Sequence, residues 1–111
     1  MVVDTTHLLE QALNGNEIAR GKLLTSYSQY LTLLARMQIG RNLQAKIDPA
    51  DVAQETFLDA HRQFSHFRGS TEAELVAWLR RILAGQLALV VRHFLGTQAR
   101  DVNLNNNLTA G

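Results

Sequence analysis

Apolar residues recur along this chain at three- and four-residue steps, with little strand-like alternation, so the pattern predicts helix almost throughout. Leu8, Leu9, Ala12 and Leu13 make the stripe of a short first helix that Asp4-Thr5-Thr6 is placed to cap. Asn14-Gly15-Asn16 stops it, because glycine and asparagine tolerate the left-handed conformation that ends helices. A second apolar run passes through Ile18, Leu23, Leu24 and Tyr27, then Tyr30, Leu31, Leu34 and Met37. Either one continuous helix or a kink at Ser26-Tyr27-Ser28 fits that run, and Gly40-Arg41-Asn42 is its expected end. Residues 43–47 read as a connector.

The strongest helix start is Asp48-Pro49-Ala50-Asp51. An aspartate there accepts from free backbone N–H groups, and a proline in the first turn loses no bond. Ala53, Phe57, Ala60 and Phe64 then form one seam, while Asp51, Glu55 and Asp59 align four apart on another side. Gln54, Leu58 and Arg62 adjoin the acids. After loop 65–70, Thr71 with Glu74 three later is a capping box that opens a long helix. Its apolar face is Leu75, Leu79, Ile82, Leu83, Leu87, Val90 and Phe94. Gly85 costs this helix about 1 kcal/mol relative to alanine, and close helix approach is one reason to carry it. Gly96 is the expected stop. The fold expected is an all-α bundle of about four to five helices with a central long helix, filling residues 1–102. Residues 103–111 read as a polar tail.

Composition narrows the class. At 111 residues the chain suits one domain with a modest core. It has no cysteine, which removes disulfides and thiolate chemistry. No apolar run reaches the length of about 18 residues that a membrane helix needs, and no signal-peptide pattern opens the chain. A cytoplasmic location without membrane contact is expected. The formal net charge is +1, yet the charges segregate. Residues 48–59 hold Asp48, Asp51, Glu55 and Asp59 and no base. Residues 68–100 hold Arg68, Arg80, Arg81, Arg92 and Arg100 against Glu72 and Glu74. Solvated helix faces explain such segregation, and so do separate surfaces for a basic protein and an anionic ligand.

Candidate chemistry points away from an enzyme. His7, His61, His66 and His93 have no metal-ligand spacing, and no phosphate-cradling glycine loop occurs. No cofactor and no metal are expected. Phe67 beside Arg68, with the Ser70 and Thr71 hydroxyls, suits base stacking and phosphate contact. Trp78 with Arg80 and Arg81 repeats that chemistry farther on. Core packing is the competing reading of both aromatics.

The stretch Asp48-Pro49-Ala50-Asp51-Val52-Ala53-Gln54-Glu55-Thr56-Phe57-Leu58-Asp59-Ala60 resembles region 2 of the sigma-70 family, in its extracytoplasmic-function branch. Phe67-Arg68-Gly69 and Ala77-Trp78-Leu79-Arg80-Arg81-Ile82 follow at similar spacings. The resemblance implies that Asp51, Gln54, Glu55, Leu58, Asp59 and Arg62 meet the clamp coiled coil of the RNA polymerase largest subunit. It implies that the loop from Ser65 to Thr71, through Phe67, Arg68, Ser70 and Thr71, holds a base flipped from the promoter −10 element. Trp78, Arg80, Arg81 and Gln86 would meet the melting strand, and Arg92, His93 and Arg100 would lie along phosphate. An anti-sigma factor is a compatible further partner. The chain departs from the family at Gly85-Gln86, where asparagine is usual, and in its sparse basic charge after Leu87. No segment after Asp101 has the pattern of the family's second, helix-turn-helix domain, so an excised domain or a free-standing single-domain relative is expected. The alternative reading is a sigma-like helical module that binds a regulator without recognising DNA.

Overall fold

The computed structural model describes the backbone of residues 4–110 and the side chains of residues 4–97. Its helices are α1 (Thr5–Leu13), α2 (Glu17–Ser26), α3 (Ser28–Gln38), α4 (Arg41–Gln44), α5 (Pro49–Gln63) and α6 (Glu72–Ala110). A 3₁₀ turn, Phe64–His66, follows α5 directly, and the described residues contain no strand.

Local chemistry accounts for most of the boundaries. The Asp4, Asn16 and Asp48 side chains accept from backbone N–H groups of His7, Ala19 and Ala50, which starts α1, α2 and α5. Gly15 adopts φ +94°, the left-handed geometry that turns the chain out of α1. The second apolar run splits into two helices at Tyr27, whose ψ of 0° and N–H bond to the Leu24 carbonyl tighten the last turn of α2. There the Ser26 hydroxyl donates to the Leu23 carbonyl, one of the local side-chain bonds that compete with a continuing helix. The connector after α3 contains the short α4. Gln44 of α4 reaches back and donates to the carbonyls of Arg36 and Ile39 at 2.9 Å, satisfying acceptors at the end of α3. These two breaks raise the helix number to six.

The core has two adjoining parts. The first gathers Leu9, Leu23, Leu24, Leu31, Ala60, Phe64, Leu75 and Leu79. The second gathers Ala35, Ile39, Ile47, Val52, Leu83 and Leu87. α6 runs through both, and α5 packs on α2, α3 and α6. Leu23, Leu24, Leu31, Leu75, Leu79 and Leu83 are fully buried, each contributing about 1.5–3 kcal/mol. Ile18 and Met37 lie outside the core, 74% and 71% exposed, although the apolar pattern includes them. Val52 and Thr56 broaden the buried face of α5, and the buried Thr56 hydroxyl is satisfied by the Val52 carbonyl at 2.9 Å.

The first and last helices meet at their starts. Thr5 and Thr6 both donate to the Glu72 carboxylate, which ties the start of α1 to the start of α6. Tyr27 lies close enough to feel that carboxylate, and burial first, then Glu72, pushes its pKa up.

α6 does not stop at Gly96. It continues to Ala110, so residues 103–110 are helical rather than an irregular tail. Gly15 is the one glycine with positive φ among the described residues, and a single glycine held in helical geometry costs about 1 kcal/mol, too little to end a helix.

Candidate functional site

The acidic stripe is assembled as a surface. Asp51, Gln54, Glu55 and Arg62 are exposed on α5, Leu58 is 38% exposed among them, and Asp59 is half-buried at one edge. Periodicity dictates this, since residues three and four apart share a helix face. Arg62 stands 3.9 Å from both Glu55 and Asp59. Such exposed pairs contribute less than about 1 kcal/mol, so they leave the acids free to meet another partner. Gln63 donates to Asp59 at 2.8 Å.

The loop departs from the expectation of an exposed aromatic. Phe67 is only 7% exposed and packs with its ring centre 5.3 Å from Trp78 and 6.0 Å from Phe64. Trp78 meets Phe64 edge to face at 6.0 Å and is itself half-buried. Core packing therefore claims the Phe67 ring, because three aromatics bury more area together than one does alone. What Phe67 offers a ligand is a wall.

Arg68 and Ser70 are exposed, and Arg68 donates to the Ser65 carbonyl at 3.1 Å. Thr71 is exposed but occupied. Its hydroxyl accepts from the Glu74 N–H and donates to the Glu74 carboxylate, closing the expected capping box. That carboxylate also accepts from the Ser70 N–H, and these bonds hold the Glu74 pKa below its ordinary value, the Ser70 bond first.

Two depressions flank Trp78. One, of about 480 Å³, lies between loop and helix and is lined by Phe67, Arg68, Gly69, Trp78 and Arg81, with His66, Glu74 and Ala77. The other, of about 330 Å³, lies between α5 and α6 and includes Asp59, Gln63, Arg81, Gly85, Gln86 and Leu89. Trp78 and Arg81 border both, so the two depressions adjoin across these side chains, and the second reaches Gln86. Arg80 borders neither, since consecutive helix residues point about 100° apart. Arg92 borders a separate apolar groove of about 490 Å³ with Ile39, Leu43, Leu87, Val91 and Leu95. His93 is exposed. The side chain of Arg100 lies outside the described residues.

The fold thus brings Trp78, Arg81 and Gln86 to one groove and leaves Arg80 and Arg92 apart from it. It also places Asp59 on that groove as well as on the acidic face. His66 and Gly69 line the cavity as members of the loop, and Glu74 and Ala77 are cavity residues that the chemistry of the sequence left out. Glu74 carried a signal in its capping position, and Ala77 only in its place beside Trp78. Gly85 is exposed and a Cβ there would meet nothing within 4 Å, so close helix approach is not its role. Among the described residues no group of three His, Asp or Glu is placed to hold a metal, and no helix is long and apolar enough to cross a membrane. No protein-family model, no curated protein and no solved structure matches this chain.

Proposed function

We propose that this chain is a sigma-factor region 2-like domain, which docks on RNA polymerase through α5 and takes the promoter −10 strand into the groove over Trp78 and Arg81. The observation that carries the reading is the 480 Å³ cavity, walled by Phe67 and Trp78 with Arg68 and Arg81 at its border. A flipped base needs a pocket that offsets its unstacking, and aromatic walls supply about 1–3 kcal/mol per base. Gln86, half-buried in the adjoining depression, is available for the next base edge. The acidic face of Asp51, Glu55 and Asp59 stands beside it and suits a basic protein surface. A net charge of +1 releases few counterions, so the affinity for promoter DNA comes mainly through the polymerase complex, in the cytoplasm.

Two variants test the halves separately. Glu55→Lys should weaken capture of polymerase core in a pull-down, and undiminished capture removes the docking half. Arg81→Ala should weaken holoenzyme binding to a forked promoter probe about tenfold, and Arg80→Ala much less. Equal affinity for the probe with and without Arg81 removes the DNA half.

The apolar groove beside Leu43 and Leu87 favours a second reading, a helical module that binds a regulator without DNA recognition. Transcription from a cognate promoter directed by the protein excludes it.

A further inference from the structure

The loop that walls the base cavity has a second side. Phe67 and Arg68 also border a cleft of about 330 Å³ against the turn between α1 and α2. Arg20 of α2 and Ser65 of the loop line this cleft, and no acidic residue does. Arg20 and Arg68 are 48 positions apart in sequence, and only the packing of α2 beside the loop brings them together.

Among the described residues, neither Arg20 nor Arg68 has a carboxylate oxygen within 4.0 Å, since the ion pairs found are those of Arg62. Arg68 spends one N–H on the Ser65 carbonyl. The Nε of Arg20 is buried and has no hydrogen-bond partner. The positive charge is also felt next door. His61 has its pKa lowered, by burial first and by the Arg20 charge second.

We propose that the cleft between Arg20 and Arg68 binds a phosphodiester of the same single strand whose base enters the neighbouring cavity. This rests on the DNA-binding reading above. A guanidinium fork matches two phosphate oxygens, which a lysine's point charge does not. Arg68 borders both cavities, so a strand held by its base on one side of the loop has its backbone within reach of the other. The loop then works as a partition, with base on the Trp78 side and phosphate on the Arg20 side.

Nuclear magnetic resonance on the full chain tests this through the arginine Nε–Hε signals, with Arg20→Gln and Arg68→Gln used for assignment. The probes, raised to millimolar concentration because the chain outside the polymerase complex binds DNA weakly, are a mixed-sequence single-stranded oligodeoxynucleotide, an abasic oligonucleotide of the same length, and inorganic phosphate. The Arg20 and Arg68 signals should move with both oligonucleotides, and the Trp78 indole signal only with the base-bearing one. Arg20→Gln should weaken both oligonucleotides about tenfold and reduce the salt slope by about 0.7. An Arg20 signal that stays fixed with the base-bearing oligonucleotide overturns the proposal. Movement of Trp78 in that same titration leaves the base cavity standing, whereas stillness of both removes the two readings together. Movement with inorganic phosphate alone makes the cleft a free-anion site and also overturns the strand assignment. The signals of the unsubstituted chain decide these outcomes even if a variant folds poorly.

Discussion

A Cβ on Gly69 would stand 2.6 Å from the Cζ atom of Phe67 and 2.7 Å from the Cβ of Glu74. Gly69 is therefore required by space, because Phe67 folds its ring under the loop and the capping residue closes from the other side. Gly69→Ala must displace the ring or the start of α6. It should lower stability by about 1–3 kcal/mol, the usual range for overpacking. Thermal unfolding checks the loss. The fluorescence of Trp78, the chain's single tryptophan, should change with it, because Phe67 packs against that indole.

Gly85 presents the opposite case. It lies on the exposed side of α6 with open space where a Cβ would go. Gly85→Ala should raise stability by about 1 kcal/mol through helix propensity alone. An unchanged or lower midpoint in denaturant would show that the residue has a contact or strain not visible in this packing.

The start of α5 depends on one side chain. Asp48 accepts from the Ala50 N–H at 2.9 Å. Asp48→Ala should cost about 1 kcal/mol, and Asp48→Asn, which keeps an acceptor oxygen, only a fraction of that. Equal loss in both variants by chemical denaturation would assign the effect to charge rather than to the cap.

His61 makes stability depend on pH. Its folded pKa lies below 6.5, through burial first and the Arg20 charge second. Between that folded value and 6.5 the unfolded chain binds more protons than the folded one, so stability rises with pH across the window and falls as pH drops through it. Unfolding curves from pH 7 downward should show the decline, and His61→Gln should flatten it. Glu74 acts lower on the scale. Its depressed pKa gives stability that is present above 4.5 and lost as pH falls through the folded value, so Glu74→Gln should flatten the acid limb alone.

Much of the site was legible in the residue pattern, and the reasons are local. The caps at Asp48 and Thr71, the seam of Ala53, Phe57, Ala60 and Phe64, and the exposed row of Asp51, Glu55 and Leu58 follow from interactions within about four residues. The divergence of Arg80 from Arg81 is equally local, a matter of helix geometry, although their shared chemistry groups the two on one strand in the sequence. The length of α6 was misjudged for a related reason. Gly96 is a stop only if its backbone takes positive φ, and composition does not decide that.

The aromatic and cationic parts of the site were beyond local rules. Phe67 beside an arginine is chemically suited to stacking on a ligand, and nothing within the loop says that Phe64 and Trp78 will take the ring first. Ile18 illustrates the converse, an apolar residue in a helical run that the packing leaves in water.

The order of the helices, their capped starts, the acidic face of α5 and the apolar face of α6 were settled by the chain's own succession of residues, because hydrogen bonds and periodicity operate between near neighbours. Which residues share a cavity was settled only when the helices packed. Trp78 meets Phe67, Asp59 faces Gln86 across a groove, and Arg20 comes to the loop beside Arg68, each through contacts between separate elements. Burial and charge pairing depend on those distant neighbours, and so the partition of the loop into an aromatic side and a cationic side belongs to the tertiary structure.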